Sequence, residues 1–150
     1  MFKRVIVGGT FDVLHKGHER VMGCAFSIGQ SVTIGLSTDE FANRFRAKTV
    51  MGYEKRKSAV EGFAKTFKKE YRIVPIDDSY GISTTDPEAG CIVVSEETLL
   101  RAEEINMIRF KKGLEKMVII VVPLVLADDG RPISGGRIHS GEITPDGKRV

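Results

Sequence analysis

The chain has 150 residues, 41% hydrophobic and 29% charged, with a net charge of +3. This length suits one domain around a sizeable core, and the balance is that of an ordinary globular protein. The charge is mild and scattered, with no block of five like residues, so it suits a small anion and makes no case for nucleic acid.

Residues 4–7 (RVIV) read as a first strand, stopped by Gly8-Gly9. Val21, Met22, Ala25 and Phe26 recur at three- and four-residue spacing, which predicts a helix over 18–28. Its first turn opens near Lys16 or Gly17, and Gly29 closes it. A second strand over 31–36 is followed by Ser37-Thr38-Asp39, a cap for a short helix through Phe45. Val60, Phe63, Ala64 and Phe67 predict a helix over 53–69 whose other face is basic and reads as solvated surface. A third strand over 71–76 leads into the turn-rich stretch DDSYGISTTDPEAG. A fourth strand over 91–94, a helix over 95–112, a fifth strand over 116–122 and a short helix from Ser134 complete the pattern.

Cys24 and Cys91 stand far apart in apolar stretches and form no CxxC pair, so they read as buried free thiols of a reducing cytosol. The N-terminal MFKRVIVGG is too short an apolar run for a signal peptide. The longest apolar run, 117–127, is broken by Pro123 and falls short of a membrane span of about 20 residues. A cytoplasmic location without membrane attachment is expected.

Strands this continuously apolar are buried on both faces, and helical crossovers of this length suit parallel pairing. The expected architecture is α/β: a Rossmann-like open five-stranded parallel sheet with helices on both faces, in a single domain over 1–150. Ligands of such sheets sit beyond the carboxyl ends of the strands. Four loops meet there: 8–18, 36–48, 76–88 and 95–98.

The first of these, GGTFDVLHKGH, carries the most chemistry. Gly8-Gly9 lets the backbone approach a ligand, and Thr10 offers a hydroxyl and an amide. The helix that follows aims its free N–H groups and positive dipole end at the same crevice, an arrangement that favours phosphate. His15 and His18 lie about one turn apart and can face the strand ends together. The spacing fits neither a GxGxxG dinucleotide fingerprint nor a Walker loop, and a zinc site would need ligands beyond these two histidines. A purely structural strand-to-helix turn explains the glycines but not the two histidines and the threonine collected beside them.

Gly9-Thr10-Phe11-Asp12 followed by His15-Lys16-Gly17-His18 resembles the GTFD-x-x-HxGH signature of the nucleotidyltransferase superfamily. The chain as a whole is similar to the archaeal type of phosphopantetheine adenylyltransferase. GLSTDEF at 35–41, VVSEET at 93–98 with AEEIN at 102–106, and VVPLVLADDGRPIS at 121–134 carry this closer match.

The resemblance implies transfer of the adenylyl group of ATP to 4'-phosphopantetheine, giving dephospho-coenzyme A and pyrophosphate, with Mg2+ brought in by the triphosphate. It also implies the site residues. His18 would hydrogen-bond the α-phosphate and His15 would support the triphosphate. Thr10, with Gly9, Phe11 and Gly17, would hold the reacting phosphates. Lys48 would bridge them, with Arg44 and Arg46 as possible substitutes; a solvated basic loop is the plainer reading of that stretch. Ser95 and Glu96 through Thr98 would meet the nucleotide, although Ser-x-x-Thr is equally a helix cap. The family's ISSTxxR-like motif corresponds to Ile133-Ser134-Gly135-Gly136-Arg137-Ile138-His139, where two hydroxyl positions are glycine and the last basic position is His139. The glycine amides could form a phosphate nest, and Arg137 could supply the missing cation. The loop over 77–88 is the expected seat of the pantetheine arm. Two rivals are another nucleotidyltransferase, acting on nicotinamide mononucleotide or transferring cytidylyl groups, and a nucleotide-binding module that has lost catalysis.

Overall fold

The winding of the sheet decides where the site can form. In a computed structural model, which describes residues 1–44 and 49–150, five strands lie parallel. They are β1 (Phe2–Gly9), β2 (Gly29–Ser37), β3 (Glu70–Ile76), β4 (Ala89–Ser95) and β5 (Val118–Val122), in the spatial order β3-β2-β1-β4-β5. Among the described residues, five α-helices accompany them: α1 (Lys16–Ile28), α2 (Asp39–Asn43), α3 (Tyr53–Ala64), α4 (Leu99–Lys111) and α5 (Gly135–His139). The expected architecture is the observed one. The chain winds outward from β1 to β3, then crosses back to lay β4 on the other side of β1. The loops after β1 and β4 therefore leave in opposite directions, which opens a crevice at their carboxyl ends.

Alternation along the strands feeds two cores. Val5, Val7, Val32, Ile34, Leu36, Cys91 and Val93 face α1 and α3, where Met22, Ala25, Phe26, Val60 and Ala64 meet them. Ile6, Ile92 and Val94 face α4, against Ala102 and Ile105. On that second face β2 presents Thr33, Gly35 and Ser37 toward its carboxyl end. These small side chains leave space beside α4, and a cavity results. Residues 123–150 build a separate small cluster around Ala127, Ile133 and Ile143. No helix among the described residues is long and apolar enough to cross a membrane.

Several boundaries differ from the sequence reading. β1 runs on through Gly8 and Gly9, whose backbones stay in the ladder with Gly35 and Leu36. Gly29 does not close α1 with a left-handed turn: its φ is −108°, and it is already the first residue of β2. A Cβ there would stand 2.8 Å from Val5 Cγ2, so close approach of the strand demands the glycine. The helix expected over 53–69 ends at Ala64 and tightens into one 3₁₀ turn, Lys65–Phe67, before Lys68 takes φ +54°. Residues Glu96–Thr98 are likewise a 3₁₀ turn ahead of α4, and Gly81–Thr84 forms another within the turn-rich stretch.

Candidate active site

The site starts from the turn that leaves β1. Phe11 takes φ +50°, a left-handed conformation unusual for a large side chain, and its buried ring folds back over Gly9. A Cβ on Gly9 would meet that ring at 3.3 Å, so the small residue makes the fold-back possible. The turn presents the Thr10 hydroxyl toward Ser37 at 3.5 Å, at the adjoining end of β2.

The start of α1 departs from the sequence expectation of free amides. His15 is the N-cap, and its Nδ1 accepts the Gly17 N–H at 3.0 Å and also caps the His18 amide. The Lys16 N–H donates to the Pro145 carbonyl at 3.1 Å. In return, His18 Nδ1 accepts the backbone N–H of His15 at 3.3 Å. The first-turn donors are thus already paired. With both Nδ1 atoms accepting, each neutral imidazole carries its proton on Nε2. A ligand therefore meets imidazole N–H groups rather than bare helix amides. The rings stack at 3.7 Å, and Phe11 packs edge-on to His18 at 4.9 Å. Burial pushes the pKa of His15 down. Burial, reinforced by the neighbouring His15, pushes His18 down to about 3 against the opposing pull of the Val13 carbonyl and Asp12. Both are neutral donors near pH 7. Gly17 belongs to the same device: a Cβ there would lie 2.9 Å from His15 Cε1.

Two side chains hold this turn from behind. Arg56 is fully buried and donates to the carbonyls of Met51 (2.7 Å), Thr10 (2.9 Å) and Ser37 (2.8 Å), and to Asp39 Oδ1 (2.8 Å). Not every basic residue of α3 is thus solvated surface. Asp12 accepts the Met51 N–H at 2.9 Å on one oxygen and pairs with His139 Nε2 at 2.5 Å on the other.

Two cavities of about 490 Å³ each meet at the end of β1. Both are bounded by Gly8, Gly9, Thr10, Val94, Glu97 and Thr98. One lies over the open face of β2 and β3, floored by Thr33, Gly35 and Ile76 and walled by α4 and the Asp78–Ser83 loop. The other runs past Phe11, His15, Gly17 and His18 to Ser95 and to Ser134, Gly135 and Gly136 of the last helix.

Ten of the expected residues line this second cavity: Gly9, Thr10, Phe11, His15, Gly17, His18, Ser95, Ser134, Gly135 and Gly136. Two do not. Glu96 turns away to accept the Leu124 N–H at 3.4 Å, and its neighbour Glu97 takes the cavity wall. Arg137 is no spare cation, because its guanidinium is engaged by Asp129, by Glu142 at 2.9 Å and by the Pro132 carbonyl at 3.0 Å. Those bonds, with the Arg131 amide foremost, hold the Asp129 carboxyl down at about 2. Lys48 and Arg46 lie outside the described residues. Sequence reading overlooked Arg56, although its spacing of four and eight from Val60 and Ala64 sets it on the buried stripe of α3. It also gave Asp12 no role, and no local signal marks a contact made 127 residues away.

Comparison with known proteins places the chain in a family. The cytidylyltransferase-like family model matches residues 6–140. A phosphopantetheine adenylyltransferase of Methanopyrus kandleri is 44% identical over 95% of this chain and 91% of its own. One from Methanothermobacter thermautotrophicus is 42% identical, covering 97% and 88%. The crystal structure of a protein of unknown function from Archaeoglobus fulgidus superposes with a TM-score of 0.73 at 31% identity, covering 79% of this chain and 88% of that one. With a parallel sheet wound about β1, an imidazole pair at its end and relatives that align over nearly their full length, the chain belongs to the cytidylyltransferase-like family, among the phosphopantetheine adenylyltransferases.

Proposed function

We propose that the protein transfers the adenylyl group of ATP to 4'-phosphopantetheine, as a cytoplasmic enzyme of coenzyme A synthesis. The observation that carries this reading is the meeting of two cavities at one strand end, since direct transfer needs two phosphates side by side. A volume of about 490 Å³ falls within the range of small-molecule sites, roughly 300–1,000 Å³. The cavity beside His15 and His18 takes ATP. The one floored by β2 and β3 takes the pantetheine arm, its apolar floor suiting the alkyl chain and its Asp78–Tyr80 rim the amides.

An oxygen of the pantetheine phosphate attacks the α-phosphorus. The bond from that phosphorus to the bridging oxygen breaks, and pyrophosphate leaves with the electron pair. No covalent enzyme intermediate forms, so the protein's task is positioning and charge stabilisation. His18 Nε2–H donates to an α-phosphate oxygen as charge spreads there. His15 donates to the triphosphate while its other nitrogen caps α1. Thr10 and the Gly9 backbone align the two phosphates, held rigid by Arg56 behind them. Among the described residues no group of three or more His, Cys, Asp or Glu side chains could make a metal cage. That donor set fits a magnesium ion held mainly by ATP phosphates and water, with Glu97 the carboxylate at hand, where it would offset phosphate charge.

A turnover assay with ATP tests this reading against each acceptor. Pyrophosphate release with 4'-phosphopantetheine is expected. Rapid release with nicotinamide mononucleotide alone would overturn the assignment. Lys48→Ala in the same assay decides whether that lysine joins the reacting phosphates: a kcat loss of about a hundredfold is expected.

A further inference from the structure

We infer that His139 is a positioning residue which latches the outer wall of the nucleotide cavity to the Thr10–Asp12 turn and so sets nucleotide affinity. The inference rests on the reading that this cavity takes ATP. Helix α5 is short enough for one end to do each job. Gly135 and Gly136 in its first turn line the cavity, while His139, its last residue, meets Asp12. Asp12 is not a free carboxylate waiting for a ligand. Its side chain is 11% exposed, with one oxygen held by the Met51 amide and the other by His139.

The outer wall is poorly tied to the rest of the molecule by apolar contact. Residues 123–150 pack around Ala127, Ile133 and Ile143, a cluster separate from the two that sandwich the sheet. Polar links hold it in place: the Lys16 N–H to the Pro145 carbonyl, the Leu124 N–H to Glu96, and His139 to Asp12. The last ends on a carboxylate that is largely shielded from water, whereas the Glu96 carboxylate is exposed, which makes it the strongest of the three. It also joins two walls of one cavity. Releasing it should loosen the Ser134–Gly136 wall without opening either sheet core. The consequence falls on nucleotide binding, not on the acceptor cavity, which α5 does not line.

The test is calorimetric titration of ATP with MgCl2 into the full chain and its His139→Ala, His139→Gln, Asp12→Asn and Asp12→Asn/His139→Ala variants, with steady-state kinetics beside it. His139→Ala should weaken ATP binding about tenfold, the range expected for a charge-assisted hydrogen bond. The KM for 4'-phosphopantetheine and kcat at saturating ATP should stay within about threefold, a split that general unfolding would not produce. His139→Gln keeps an N–H donor near the Nε2 position and should recover most of the affinity. In the Asp12→Asn background, His139→Ala should cost much less than it does alone. Unchanged ATP affinity in His139→Ala, or an equal loss in both backgrounds, overturns the latch while leaving adenylyl transfer standing. Wild-type protein that binds no ATP overturns both.

Discussion

His18 illustrates how one residue can be set by its neighbours rather than by its own type. It is neutral because burial and His15 disfavour its charge, and its tautomer is fixed by the backbone N–H it accepts. It can therefore donate to a phosphate oxygen without holding ATP as a permanent cation would. His18→Ala should lower kcat by about a hundredfold or more while ATP binding changes little, because the lost bond strengthens as charge develops. Single-turnover kinetics beside calorimetry would show this split. Gly17 supports the same ring pair. Gly17→Ala puts a methyl carbon 2.9 Å from His15, so the ring must swing off its cap. A cost of about 1 kcal/mol in stability is expected from the lost cap, with a further drop in kcat as the His15–His18 stack is lost. Urea unfolding and turnover of that variant measure the two effects separately. The histidines and glycines were legible in the sequence because their types and spacing are local. Their division of labour was not, since it depends on which ring nitrogen the backbone occupies.

At the scale of elements, α3 shows what a pattern of types conceals. Its sequence reads as an apolar stripe with a basic back, yet Arg56 stands on the stripe itself, in line with Val60 and Ala64. A buried guanidinium there satisfies carbonyls from the ends of β1 and β2 together, which no apolar residue could do. Replacing it leaves buried acceptors unpaired. Arg56→Met should destabilise the fold by about 3 kcal/mol or more, seen as a lower urea midpoint. Arg56→Lys keeps the charge but cannot span four acceptors, so it should fall between wild type and Met. Equal stability of Arg56→Met and wild type would show that the two loops hold themselves. Elsewhere the elements were legible in kind, and their ends moved by a few residues. Gly29 marks why: the sequence shows a glycine at a helix end, whereas the need for it comes from Val5 on a neighbouring strand.

Over the whole molecule, the alternation of β-branched runs and helical spacing carried the architecture, because burial on two faces leaves its mark along every strand. The strand order, which the sequence pattern left open, sets the reversal at β1, and that reversal places the imidazole pair at the crevice. Gathering two histidines there has a cost for stability in acid. Both have folded-state pKa values below the ordinary 6.5, so as pH falls the unfolded chain takes up protons before the folded one does. Their contribution is fully present above pH 6.5 and is lost from there downward, for His18 as far as about pH 3. For His18 the loss runs at up to about 1.4 kcal/mol per pH unit between those limits, and His15 adds to it in the same direction. Between pH 6.5 and 5 most carboxylates remain ionised, so the histidines dominate the slope. Urea midpoints over that window should fall steadily in wild type and less steeply in His18→Gln, which has no proton to take up. Parallel slopes in the two proteins would mean that His18 is as readily protonated in the folded chain as in the unfolded one, and that its neutrality is not what the crevice imposes.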